Sequence, residues 1–254
     1  MINQNLHKQA VALDRVKHRS LKLDVAAKDL STVKGLNAFF VAGGEFGDAC
    51  KDYPVVFVNA GQDEGGKALV APIAVFGLRT GENLCIEGDD WRVRYVPAAL
   101  RLYPFAMARI ENEQLLVCID ESWKGFNSVE GQALFNEQGE PSEFTQQVQQ
   151  QLEAFEADID RTRQACSVLL EKGLLREMRF DATLPDGQQL AVDGFLTIDD
   201  DKMRALSDND LLALARSGLL GLIHAHQLSL SNMTRLVEWH VARFGVQAAA
   251  APAA

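Results

Sequence analysis

Between about residue 20 and residue 120, apolar positions come in short runs cut by glycine, proline and acidic residues, the punctuation of β-strands. The runs are NAFFVA, PVVFVNA, ALVAPIAVFGL, NLCIEG, WRVRYV, FAMARIE and QLLVCID, with GQDEGG and ENE as turns. After Pro141 the period changes. Phe144, Val148, Leu152, Phe155, Ile159, Thr162, Cys166 and Leu169 recur at steps of four and three, which predicts one long amphipathic helix capped by Ser142 and stopped at Gly173. Two alternating runs around PDGQ then predict a hairpin, followed by a return to helix. Asp208 is a good N-cap for NDLLALARSG, GLLGLIHAHQL is apolar enough to be buried all round, and SNMTRLVEWHVARF is amphipathic up to Gly245.

These elements predict an α+β fold: a β-rich N-terminal portion, a long central helix, a hairpin, and C-terminal helices packed back onto it. No proline- or serine-rich linker separates the halves, so residues 1–246 read as a single domain, and 247–254 as a disordered low-complexity tail. The central helix is longer than one face of a compact domain requires. It therefore either straddles two subdomains or uses its 144–170 stripe to join a second copy of the chain.

Composition narrows the function. A formal charge of −10 repels phosphate backbones and argues against general nucleic-acid binding. Cys50, Cys85, Cys118 and Cys166 are too scattered for a zinc or redox motif and read as buried, reduced thiols. No segment has the length and apolarity of a membrane span, and the N-terminus lacks the apolar core of an export signal, which places the protein in the cytoplasm.

Familiar catalytic motifs are absent. There is no HExxH, GxSxG or GxxxxGK[ST], and the glycines of VAGGEFGDA read as a strand-to-helix turn with Glu45 in the first helical turn. His224 and His226 would share a metal on a strand, but on a helix two residues apart point in different directions. No cofactor and no metal site is predicted. The acidic cluster Glu87, Asp89 and Asp90 reads as a solvated turn.

The strongest chemistry lies in WRVRYVPAALRLYPF. Read as a strand, WRVRYV puts Trp91, Val93 and Tyr95 on one face and Arg92 and Arg94 on the other, while AALRLY makes a helical turn bearing Arg101. Arg92, Arg94 and Arg101, with Trp91 or Tyr103 stacking beside them, form a candidate site for an acidic small molecule, peptide or protein, and Glu45 joins the list. The alternative is that these arginines clamp the corner against acidic neighbours.

The order of GGEFGDACKDYPVVF, FGLRTGENLCIEGDDWRVRYVPAALRLYPFAMA, VCIDE, EGQALFNEQGEPS, DGFLTIDDDKMRAL and LIHAHQLSLSNMTRL resembles the bacterial SapC family over about residues 15–238. The chain departs from the family pattern at Leu102, where a second basic residue is common, and at Cys85, where an aromatic often stands. The resemblance implies a noncatalytic accessory or binding protein related to surface-layer or nutrient-uptake systems. It also leaves open an enzyme acting on a peptide or small acid beside a flavin-dependent halogenase, or a structural component of the surface layer.

Overall fold

The computed structural model describes residues 2–110, 114–185 and 187–244. The ENE stretch at 111–113, Asp186 of the hairpin turn, Gly245 and the predicted tail at 247–254 lie outside the described residues. The fold is α+β, and the chain divides into two compact units, each assembled from two separated stretches.

The first unit takes the chain up to Val33 and Ala98–Ile159. Strand β1 (Ala10–Ala12) pairs antiparallel with β9 (Leu115–Asp120), which pairs in turn with β8 (Phe105–Arg109). Strand β2 (Lys22–Leu23) lies between β10 (Phe126–Asn127) and β11 (Gln132–Ala133), and α2 (Ala98–Leu102) precedes β8. Phe105, Met107, Ile119 and Leu134 form its core with Val148 and Leu152 from the first turns of α3 (Glu143–Glu171).

Helix α3 follows its sequence signals. Ser142 Oγ accepts from the Thr145 N–H, and Gly173, at φ +62, ends the helix while the Leu174 N–H bonds back to Leu169 C=O. Val148, Leu152, Ile159, Thr162, Cys166 and Leu169 of the stripe are buried within the chain itself, and Phe155 is half-buried. At ~1.5 Å per residue the helix runs for roughly 43 Å, and its residues after Ile159 belong to the second unit.

The second unit, Lys34–Pro97 and Asp160 onward, holds a five-stranded antiparallel sheet. Its strands are β3 (Ala38–Phe40), β4 (Val55–Gln62), β5 (Ala68–Val75), β12 (Leu175–Thr183) and β13 (Gln189–Ile198), ordered β12-β13-β4-β5-β3. The predicted hairpin is β12–β13. Between β13 and β4 the ladder is thin, with Leu196 opposite Phe57, and the next facing positions, Val55 and Ile198, are bridged by a side chain. His226 donates from Nδ1 to Val55 C=O at 2.7 Å and accepts the Ile198 N–H on Nε2 at 3.2 Å, so a neutral imidazole stands in for the missing ladder bonds.

Helices α1 (Phe46–Asp52), α4 (Asp200–Arg204), α5 (Asp208–Arg216), α6 (Leu219–Ser229) and α7 (Asn232–Phe244) complete this unit. Some expectations are corrected. Ser207, not Asp208, caps α5, because its Oγ accepts the Asp210 N–H. Helix α6 is not buried all round: it lies against α1 and α5, burying Ile223 and His226 but leaving His224 and Leu228 exposed. The histidines of HAH point apart as helical geometry requires. The four cysteines are free as expected, but Cys50 is only half-buried.

The largest correction falls on WRVRYV and NLCIEG. Only Ile86–Glu87 (β6) and Asp90–Trp91 (β7) are strand, a two-pair hairpin turning at Gly88 with φ +63. The Arg92 N–H still donates to Cys85 C=O at 2.8 Å, but beyond it the backbone leaves the ladder: the Tyr95 N–H donates to Asp52 Oδ2 at 2.7 Å, and Pro97 has none to offer. The two-faced alternation of Arg92 and Arg94 therefore does not form.

Candidate functional site

In the second unit the hairpin β6–β7, the loop before it and one face of α7 enclose a cleft of about 420 Å³. Lys34, Asn83, Ile86, Glu87, Gly88, Arg92, Trp239, Ala242 and Arg243 line it. The loop at 76–85 contributes Asn83 to its lining. That loop folds tightly because residue 77 is glycine: a Cβ there would sit 2.1 Å from the Glu82 carbonyl oxygen. Glu82 is buried, accepts the Leu78 N–H at 2.7 Å, and takes a 2.6 Å hydrogen bond from His240 Nδ1 on α7. The acceptor is a carboxylate, so the imidazole carries its proton on Nδ1. Loop and helix are thereby fixed to each other.

Helix α7 presents Arg235, Trp239 and Arg243 at i, i+4 and i+8, on one face. Arg243 donates to the carbonyls of Asn83, at 2.6 Å, and of Ile86. Arg235 donates to the carbonyls of Lys51 and Asp52 at the end of α1, where a cation also meets the negative end of the helix. No carboxylate among the described residues pairs with either guanidinium. The hydrogen bonds they make go to neutral oxygens, Arg235 Nε is buried without an acceptor, and their charge is not cancelled by an ion pair.

Arg92 enters from the hairpin. Its guanidinium stands over the Trp239 ring, 4.2 Å from the centroid, and Arg235 lies 5.2 Å from the same ring. Its ion pair is loose: Nη2 is 3.6 Å from Glu87, whose side chain is 72% exposed. Lys34 pairs with Asp89 at 3.2 Å, again on the exposed hairpin tip. Three cationic side chains thus face one lining carboxylate, in a chain whose total charge is −10. The distant negative charges are screened beyond ~8 Å at physiological salt, so the local sign governs what the cleft attracts.

The other predicted site residues have different roles. Trp91 does not line the cleft: its ring stands edge-on to Phe76, and Nε1 donates to Tyr53 Oη at 2.7 Å. Tyr53 donates to Tyr95 C=O, Tyr95 Oη donates to Glu45 Oε2 at 2.8 Å, and Glu45 Oε1 accepts the Ala42 N–H at 2.8 Å. Glu45 therefore sits buried in the 3₁₀ turn Gly43–Glu45, just before α1 rather than in its first turn, as part of a scaffold chain. Burial holds the Tyr53 hydroxyl well above the ordinary phenol range. Arg94 is exposed and forms no ion pair among the described residues.

Arg101 and Tyr103 belong to the first unit, Arg101 exposed on α2. Tyr103 stacks edge-on against Trp123 at 5.1 Å and donates to Asp120 Oδ2 at 3.1 Å. Asp120 is fully buried. It also accepts from the N–H groups of Lys8, Gln9 and Ser122 and from Ser122 Oγ. Burial alone would raise the Asp120 pKa, but the Ser122, Lys8 and Gln9 hydrogen bonds outweigh it and hold the carboxyl below its ordinary value. This is a closed anion site filled by the chain's own donors.

Of the predicted site residues only Arg92 lines the cleft; Lys34, Asn83, Trp239 and Arg243, which line it too, were not among them. A signal was present in TRLVEWHVARF, whose basic and aromatic positions share one helical face, but nothing in it says which surface that face meets. The three buried thiols are poor nucleophiles here. Burial pushes Cys85 and Cys166 up to about 12 and raises Cys118 as well. Among the described residues no group of three His, Cys, Asp or Glu is placed to hold a metal ion, and no helix is long and apolar enough to cross a membrane.

Fold and cleft together define an α+β protein with a small, locally cationic cavity. The SapC family model matches residues 13–236, most of the chain, and the protein belongs to the SapC family. No curated protein and no solved structure matches it.

Proposed function

We propose that this chain is a noncatalytic binding protein, accessory to surface-layer or nutrient-uptake systems and working in the cytoplasm, that holds a small acidic ligand in the cleft beside Arg92 and Arg243. The observation that carries this reading is the grouping of Lys34, Arg92 and Arg243 around about 420 Å³, with Glu87 as the lining carboxylate. That volume falls within the range of small-molecule sites. A ligand carboxylate about 4 Å from one of these guanidiniums gains on the order of 1–4 kcal/mol, depending on how far water is excluded. Arg243 is already oriented by two carbonyls, so little side-chain freedom remains to be lost on binding.

The test is untargeted mass spectrometry of small molecules that co-purify with the native protein, alongside Arg92→Gln and Arg243→Gln. An acidic molecule retained by the wild type and lost from both variants is expected. Equal retention by all three proteins would remove the cleft from consideration.

A further inference from the structure

The cleft's cations are already matched, loosely, by carboxylates of the hairpin that forms its rim. Glu87 stands 3.6 Å from Arg92, outside hydrogen-bonding range, and Asp89 stands 3.2 Å from Lys34. The acidic side chains are 72% and 94% exposed, so each pair is in contact with water. Exposed ion pairs of this kind contribute roughly 0.2–1 kcal/mol, too little to hold the hairpin in place. The hairpin does not depend on them: Ile86 and Glu87 pair with Trp91 and Asp90, and the Ile86 carbonyl is held by Arg243. Glu87 and Asp89 thus sit opposite the two least committed cations while contributing little to the fold. Gly88 between them lets the turn bring both carboxylates to the same rim.

Resting on the cationic-cleft reading above, we propose that Glu87 and Asp89 are internal stand-ins for the two acid groups of the ligand, which is a small organic dicarboxylate. At rest they neutralise Arg92 and Lys34. The ligand displaces them, placing one carboxylate on Arg92, whose planar guanidinium suits a two-oxygen acceptor, and the other on Lys34. Its carbon skeleton lies along Ile86 and Ala242, the apolar part of the lining. The displaced carboxylates return to water at small cost because they are already largely solvated. The acidic tip then sets affinity and selects against ligands with one weak charge, which do not displace both stand-ins.

Isothermal titration of the full chain with glutarate and, separately, with inorganic phosphate tests this. The proteins compared are wild type, Glu87→Gln/Asp89→Asn and Arg92→Gln; the double variant changes exposed side chains, and matched thermal melts confirm the fold of both variants. Removing the internal competitors should tighten glutarate binding roughly three- to tenfold, as expected from two weak pairs. Arg92→Gln should weaken it more than tenfold. Unchanged or weaker glutarate binding in the double variant overturns the stand-in role, while measurable wild-type binding in the same experiment keeps the cleft as an acid site. Phosphate binding tighter than glutarate in the double variant overturns the dicarboxylate assignment. Absence of binding by either anion to both wild type and double variant overturns the cleft reading as well.

Discussion

Asp120 in the first unit and Arg243 in the second solve the same electrostatic problem with opposite signs and opposite outcomes. Each is a charged group held by neutral partners: Asp120 by backbone N–H groups and two hydroxyls, Arg243 by backbone carbonyls. Asp120 is wholly buried, so its donors are its complete environment, and the arrangement fixes β1 to β9 and to Tyr103. Arg243 borders a cleft, so its orientation is fixed while its field reaches solvent. Hydrogen bonding to neutral partners therefore closes the site in one unit, while in the other it orients a charge that, on the proposed reading, is left for a ligand. Openness makes the difference, not the number of bonds.

The largest expected effect breaks the closed site. Asp120→Ala leaves several buried donors without an acceptor and should cost about 3–5 kcal/mol in urea unfolding. A loss below about 1 kcal/mol would show that the donors find water and that the site is not closed.

Acid titration separates the units next. His226 has its pKa lowered by burial to about 4, from an ordinary 6.5. The unfolded chain then binds this proton while the native one does not, so stability is intact above pH 6.5 and declines as pH falls towards 4, approaching a loss of about 3 kcal/mol. His7 in the first unit, lowered mainly by burial, adds in the same direction. Asp120 acts in the same direction but in a lower window: its contribution is complete above its ordinary 3.8 and is lost as pH falls from there through its lower native value. Unfolding free energies of wild type and His226→Ala, measured from pH 7 to pH 3, should show the upper slope reduced in the variant. An identical slope in both proteins would reject His226 as its source.

Arg243→Gln should cost about 1–2 kcal/mol, because part-buried carbonyls lose charged donors, and should also abolish retention of an acidic ligand. Stability loss without any change in ligand retention would make Arg243 purely structural, like Asp120. The smallest effect is expected at Arg94→Ala, within about 0.5 kcal/mol and without change in binding, since the side chain is exposed and unpaired among the described residues. A clear binding defect there would redraw the cleft.

Much of the architecture was legible in the residues. The helical period from Phe144 to Leu169, the cap at Ser142 and the stop at Gly173 specified α3 because those signals act within a few residues of one another. The strands β4, β5, β8 and β9 and the β12–β13 hairpin were likewise written in β-branched runs and turns. WRVRYV misled because alternation describes side-chain direction only if the backbone pairs, and here the Tyr95 N–H prefers the Asp52 carboxylate.

The sequence by itself determined the family, the α+β class and the helical separation of His224 from His226, since each depends on local order along the chain. Only tertiary structure decided that His226 fills a gap between β4 and β13, that Trp91 and Glu45 belong to scaffold, and that Lys34, Arg92 and Arg243 share a cleft. Lys34 and Arg243 are brought to one surface by the chain's return through α7, and no local propensity encodes that distance.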